Sequence, residues 1–129
     1  MSSQGDPLEE ACDSLAENYG DVDAAVASLA ERRPADDPVE TRTAVFGALA
    51  NDHRVRILEA LREGELCACE LQVVLEAPQS TVATHLRTLR DAGLVTSRKK
   101  GRWSYYRIAD TAALELLDLA GSVDLPTDD

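Results

Sequence analysis

Gln79-Ser-Thr-Val-Ala-Thr-His-Leu-Arg-Thr-Leu-Arg90 is followed, after Gly93, by Val95-Thr-Ser-Arg-Lys-Lys100, Gly101 and Trp103-Ser-Tyr-Tyr-Arg-Ile108. The hydrophobic period changes once along this stretch. Val82, Leu86 and Leu89 are three to four residues apart, the spacing of one buried helical face, so residues 79–92 are predicted to be a helix that Gly93 stops. Beyond Gly93 the pattern alternates: Val95, Ser97 and Lys99 interleave with Thr96 and Arg98. The aromatic run 103–108 is β-prone, and Lys100-Gly101 reads as the turn of a hairpin. Just upstream, residues 66–75 read as a short helix with Leu66, Leu71, Val74 and Leu75 as core candidates, ended by Ala77-Pro78 because the residue before proline resists helix. Two helices joined by a short turn and followed at once by a β-hairpin make a winged helix-turn-helix. The predicted fold class is therefore mainly α with a β-hairpin wing.

The rest of the chain fits around this centre. Val45, Phe46 and Leu49 mark one helix. Val55, Ile57, Leu58 and Leu61 mark the next, recapped at Asn51 or Asp52 and ended at Gly64. A last helix begins near Asp110 or Thr111; Leu114, Leu116, Leu117 and Leu119 make it apolar over more than one face, which predicts burial against a partner. At the other end, Asp6 and Pro7 start a helix with Leu8, Ala11, Cys12, Leu15, Ala16 and Tyr19 on one face. Asp21 caps a second helix that carries Val22, Val26 and Leu29. The resulting organisation is an N-terminal helical arm (1–33), a Pro-Ala-Asp-Asp-Pro linker (34–38), the winged domain with its C-terminal dimerisation helix (39–121) and an acidic tail (122–129).

A net charge of −11 looks wrong for a nucleic-acid binder, but its distribution is uneven. Residues 39–108 carry eleven basic and eight acidic side chains, and within 79–108 seven basic residues face a single acid, Asp91. A local basic stripe is what binds phosphate, and whole-chain charge hides it. The only lysines are Lys99 and Lys100, and an acid-rich, lysine-poor chain suits a halophilic host with a very salty cytoplasm. No apolar run approaches the roughly 20 residues of a membrane helix, and the first residues lack a signal peptide's basic and apolar regions. A cytoplasmic protein is expected. The three cysteines, Cys12, Cys67 and Cys69, are an odd number in such a chain, which argues against a disulfide framework.

With Val82, Leu86 and Leu89 inward, the helix 79–92 leaves Gln79, Ser80, Thr81, Thr84, Arg87 and Arg90 outside. Short polar groups near a helix N-terminus reach base edges and phosphates in the major groove. Arg98, Lys99, Lys100 and Arg102 at the hairpin tip would grip the backbone beside it and set register. Arg107 and His85 read as structural, His85 as hydrogen-bonded at the boundary between helix and core. His53, near a helix start, reads as solvent-facing.

Residues 43–108 resemble the ArsR/SmtB family of metal-responsive repressors. The stretches that carry the resemblance are Ala48-Leu-Ala-Asn-Asp-His-Arg-Val-Arg-Ile-Leu58, Glu65-Leu-Cys-Ala-Cys-Glu-Leu71, Gln79-Ser-Thr-Val-Ala-Thr-His-Leu86, Leu89-Arg-Asp-Ala-Gly-Leu-Val95 and Gly101-Arg-Trp-Ser-Tyr-Tyr-Arg-Ile108. The resemblance implies a homodimeric repressor that binds double-stranded DNA at a palindromic operator and leaves it when metal binds. It also implies that Cys67 and Cys69 are thiolate ligands of the inducing ion. Thiolates select thiophilic ions: As(III) and Sb(III) suit three sulfurs, and Cd(II) and Pb(II) take three or four. No permanent cofactor is implied.

The box departs from the best-known arsenic-sensing pattern, because Gln72 stands where a third cysteine would be. Cys12 is the only other thiol, and some members of the family bring cysteines from an N-terminal arm across the dimer. The family's second site, on the C-terminal helix, needs histidine, and none follows His85, which disfavours zinc and nickel. On an ideal helix residues two apart point about 200° away from one another. Binding through both Cys67 and Cys69 therefore requires the start of their helix to be unwound already or to unwind when the ion binds. Two other readings stay open: a redox sensor pairing Cys12 with Cys67 or Cys69, and a winged regulator with no small ligand that uses its acidic arm to bind a protein partner, its cysteines serving only for packing. No Gly-rich phosphate loop, nucleophile elbow or histidine base near a cysteine is present, so an enzyme is not expected.

Overall fold

The computed structural model describes residues 7–126, and the chain divides into two compact units with the boundary at Val39/Glu40. The first unit holds α1 (Pro7–Asn18) and α2 (Val22–Ala30). Asp21 caps α2, accepting a hydrogen bond from the Ala24 N–H at 3.1 Å. Ala11, Leu15, Val26 and Leu29 line a shallow concavity between the two helices, Ala25 is buried and Cys12 is half-buried. The cap read at Asp6, the side chain of Leu8 and residues 127–129 of the tail lie outside the described residues.

The second unit is built from the C-terminal part of α3 (Asp36–Leu49), α4 (Asp52–Ala60), a 3₁₀ turn (Leu61–Glu63), β1 (Leu66–Cys67), α5 (Ala68–Leu75), α6 (Gln79–Asp91), β2 (Val95–Lys100), β3 (Trp103–Ile108) and α7 (Ala112–Gly121). α3 begins inside the stretch 34–38, with Pro38 in its first turn, where a missing N–H leaves no bond unmade. Asn51 caps α4, accepting from the Arg54 N–H at 3.2 Å. Gly64 ends the 3₁₀ turn at φ +137°, a conformation that favours glycine. Ile57, Leu58, Leu71, Leu75, Val82, Leu86, Leu89, Leu94 and Val95 form one core, with Ala48 and Ala113 closing it from α3 and α7. The helix-turn-helix is α5–α6, and α6 packs directly behind the wing.

The sheet differs from the expected hairpin. It has three strands in the order β1-β3-β2. Val95 pairs with Ile108 and Lys100 with Trp103 across the hairpin, while Leu66 pairs with Tyr106 and Cys67 with Tyr105 on its far side. The helix expected over 66–75 therefore starts only at Ala68. Backbone pairing with a strand about forty residues away outweighs the local helical pattern. Two more expectations are corrected. Val74 is 45% exposed, and Phe46 is 58% exposed. Eight residues of α5 present one narrow core face, already filled by Leu71 and Leu75. Phe46 opens instead onto a groove of about 430 Å³ lined by Leu49, Val55, Leu116, Leu117 and Ala120. Among the described residues, no helix is long and apolar enough to cross a membrane.

Candidate thiol site and nucleic-acid interface

α6 carries two chemistries on one rod. Val82, Leu86 and Leu89 are buried, while Gln79, Ser80, Thr84, Arg87 and Arg90 are exposed and Thr81 is half-buried. The Thr84 hydroxyl donates to the Ser80 carbonyl at 2.9 Å, so only its acceptor side is free. Pro78 offers no capping side chain, leaving the first-turn N–H groups of α6 without one. At the wing, Lys99, Lys100 and Arg102 are exposed at the tip. Gly101 turns the hairpin at φ +66°, and the Arg102 guanidinium lies 5.9 Å from the ring of Trp103. Arg98 differs from these three. Its Nε donates to Glu65 Oε2 at 2.9 Å and its Nη2 to Oε1, a two-point ion pair with the residue that precedes β1. The hydrogen bonds from Arg98 hold the Glu65 carboxyl below its ordinary range, helped by the charges of Lys100 and Arg107.

A second polar cluster sets the position of α6. Arg54 donates from Nε to the Ala48 carbonyl at 2.6 Å, from Nη2 to the Gly47 carbonyl at 3.2 Å and from Nη1 to His85 Nδ1 at 3.1 Å. A guanidinium only donates, so His85 Nδ1 must be unprotonated. The structural role expected of His85 is thus present, and it fastens α6 to α4 and the end of α3. His53 departs from the solvent-facing expectation: it is half-buried, its Nδ1 is buried without a partner, and its ring centroid lies 5.2 Å from that of His85. Nothing in its local sequence signals this inward orientation.

Burial, then the Arg54 charge, then His53 push the His85 pKa below its ordinary value. A histidine whose folded pKa is depressed contributes stability that is present above its unfolded value, about 6.5, and is lost as pH falls through the folded one. Denaturant midpoints should therefore fall between pH 7 and pH 5, and His85→Gln should flatten that dependence. An equally steep fall in the variant would assign it to other groups.

Cys67 and Cys69 both line one pocket. Cys67 ends β1 and stands just before α5 with extended backbone (φ −85°, ψ 168°), and Cys69 is the second residue of the helix. The Glu70 carboxylate accepts from the Cys67 N–H at 2.8 Å and so fixes this junction. The condition set by helical geometry is met locally, since only one of the two thiols lies on the helix. Gln79, Ala83 and Leu86 of α6 and Arg102, Trp103 and Tyr106 of the wing are among the other residues lining this pocket of about 300 Å³. It is bounded by both elements expected to meet DNA, α6 and the wing. Cys67 is half-buried and Cys69 exposed. Among the described residues, no three His, Cys, Asp or Glu side chains converge closely enough to hold a metal ion. Cys12 belongs to the first unit.

Residues 51–97 match the family model described as bacterial regulatory protein, arsR family. ArsR2 of Halobacterium salinarum is 36% identical over 122 residues, 92% of each chain. The chain belongs to the ArsR family. A second member, the arsenic resistance transcriptional regulator ArsR1 of Pseudomonas putida, is 51% identical over 65 residues, which is 50% of this chain and 51% of that one. Among solved structures, the homodimeric winged helix-turn-helix DNA-binding domain Mb0332 of Mycobacterium bovis has a TM-score of 0.62 at 29% identity, covering 70% of this chain and 86% of that one. This ArsR-family protein is accordingly a DNA-binding transcriptional regulator, not an enzyme. The family model covers Asn51 to Ser97 and so contains the thiol box, α6 and the first half of β2. Sequence reading missed the Glu65 partner of Arg98 and the inward turn of His53, both made by residues more than thirty positions apart.

Proposed function

We propose that this ArsR-family regulator is a homodimeric repressor that a thiophilic ion releases from a palindromic operator. As(III) or Sb(III) is the favoured inducer, with Cd(II) and Pb(II) as the alternatives. The observation that carries the reading is the shared pocket of Cys67 and Cys69, walled by α6 on one side and β3 on the other. Each arsenic–sulfur bond forms as a thiol replaces one hydroxyl of As(OH)₃ and water leaves, with no change of oxidation state. Two such bonds use Cys67 and Cys69, and Cys12 supplies the third sulfur. Drawing Cys67 toward Cys69 strains β1 against β3 and tilts α5, the partner of α6 in the helix-turn-helix. The exposed apolar groove between α3 and α7 is the surface assigned to the second protomer, in keeping with the homodimeric Mycobacterium bovis relative. Gln79, Ser80, Thr81, Thr84, Arg87 and Arg90 read the groove, and Lys99, Lys100 and Arg102 hold phosphate.

The test is titration of a duplex from the chain's own promoter, at molar salt because phosphate contacts weaken steeply with salt, with and without arsenite. Release by arsenite is expected, and Cys67→Ser or Cys69→Ser should abolish it. Cys12→Ser should weaken arsenite binding, and binding unchanged in that variant would remove Cys12 from the ligand set. DNA binding that ignores all four ions would overturn the inducer, and release by peroxide alone would favour the redox reading.

A further inference from the structure

The proposed ion site at Cys67 and Cys69 does not by itself account for an effect at the wing tip. The sheet register supplies a path. Cys67 faces Tyr105 across β1–β3, and Arg98 faces the same Tyr105 across β2–β3, so Cys67, Tyr105 and Arg98 form one rung across the sheet. Directly opposed residues of antiparallel strands share a face, as do residues two apart in an extended chain. Glu65, two residues before Cys67, therefore lies on the face of this rung and spans it to reach Arg98. We infer that Glu65 is a positioning residue that ties Arg98 to the segment carrying Cys67, so that occupation of the thiols is passed to the wing through this ion pair.

The chemistry of the pair suits that task. A guanidinium bound at two points by a carboxylate has its distance and orientation fixed together, which a lysine's point charge would not achieve. Both side chains are partly open to solvent, Glu65 at 29% and Arg98 at 52%, so screening limits what the pair adds to stability, and its effect is positional. β1 is two residues long and is the weakest joint of the sheet. An ion that draws Cys67 toward Cys69 turns residues 65–67, and Glu65 turns with them. Arg98 follows its carboxylate, and Lys99 and Lys100, next in β2, move with it relative to α6. The inference rests on the thiol reading above and adds the route by which the site acts.

Full-length wild type, Glu65→Gln, Arg98→Gln and the double variant are compared on the promoter duplex. Arsenite uptake is followed by the sulfur-to-arsenic absorption in the ultraviolet, and the readout is the ratio of DNA Kd with and without arsenite. Arsenite uptake by Glu65→Gln should stay within about twofold of wild type while the arsenite-induced loss of DNA affinity shrinks about tenfold, with no further loss in the double variant than in Arg98→Gln, as expected for two residues acting as one unit. A merely structural role would lower the melting temperature and shift both Kd values together, leaving the ratio unchanged, and that result overturns the inference. Should Glu65→Gln not fold, Glu65→Asp, which keeps the charge but shortens the arm, is measured in its place with the same expectation. Wild type that takes up no arsenite removes the thiol reading and this inference with it. Wild type that responds beside variants that respond equally removes only the ion-pair route.

Discussion

Leu86→Ala should destabilise the winged unit by about 2–5 kcal/mol, the range for removing a buried leucine whose surroundings cannot close over the gap. Leu86 is 2% exposed and sits mid-way along α6, packed in the cluster that joins α4, α5, α6 and the start of β2. For a domain of this size each kcal/mol moves the melting temperature by about 4–8 °C, so a fall of at least about 8 °C is expected. Thr84, two positions away on the exposed face, is the control: Thr84→Ala should shift stability by no more than about 0.5 kcal/mol while weakening DNA binding. Equal losses of stability in the two variants would show that α6 is not divided into a core face and a reading face.

Arg54→Met should cost about 2–4 kcal/mol, since it keeps the bulk of the side chain but leaves the Ala48 carbonyl and His85 Nδ1 without their partner in a half-buried setting, at about 1–3 kcal/mol per unsatisfied group. The Gly47 carbonyl is exposed and water replaces that bond. Arg54→Lys should recover little, because an ammonium cannot reach three acceptors in one plane. Loss of the Arg54 charge removes the second of the causes that depress His85, so the His85 titration followed by NMR should move up in Arg54→Met. A His85 titration unchanged in this variant would mean that the Arg54–His85 contact does not form in solution.

The division between what the chain declares locally and what its fold decides follows the reach of each interaction. The period of Val82, Leu86 and Leu89, the alternation after Gly93 and the caps at Asp21 and Asn51 all act over one or two turns, and α2, α4, α6, β2 and β3 were legible from them. The outward set on α6 was legible for the same reason: an inward stripe leaves its complement outside. Glu65-Leu-Cys-Ala-Cys-Glu-Leu71 shows the opposite case. Read locally, it is a helix whose two thiols diverge.

Pairing of Leu66 and Cys67 with Tyr106 and Tyr105 takes the first thiol out of the helix and brings both into one pocket. The pairing of Arg98 with Glu65, the meeting of His53 with His85, and the exposure of Phe46 and Val74 have the same origin. By itself the sequence determined that this chain makes a winged helix-turn-helix with a basic stripe on its outward face and a pair of neighbouring thiols, because local period, capping and charge suffice for each. Only the tertiary structure decided that the first of those thiols, Cys67, belongs to the wing's own sheet while Cys69 stays on α5, since a strand partner about forty residues away leaves no mark in the local pattern.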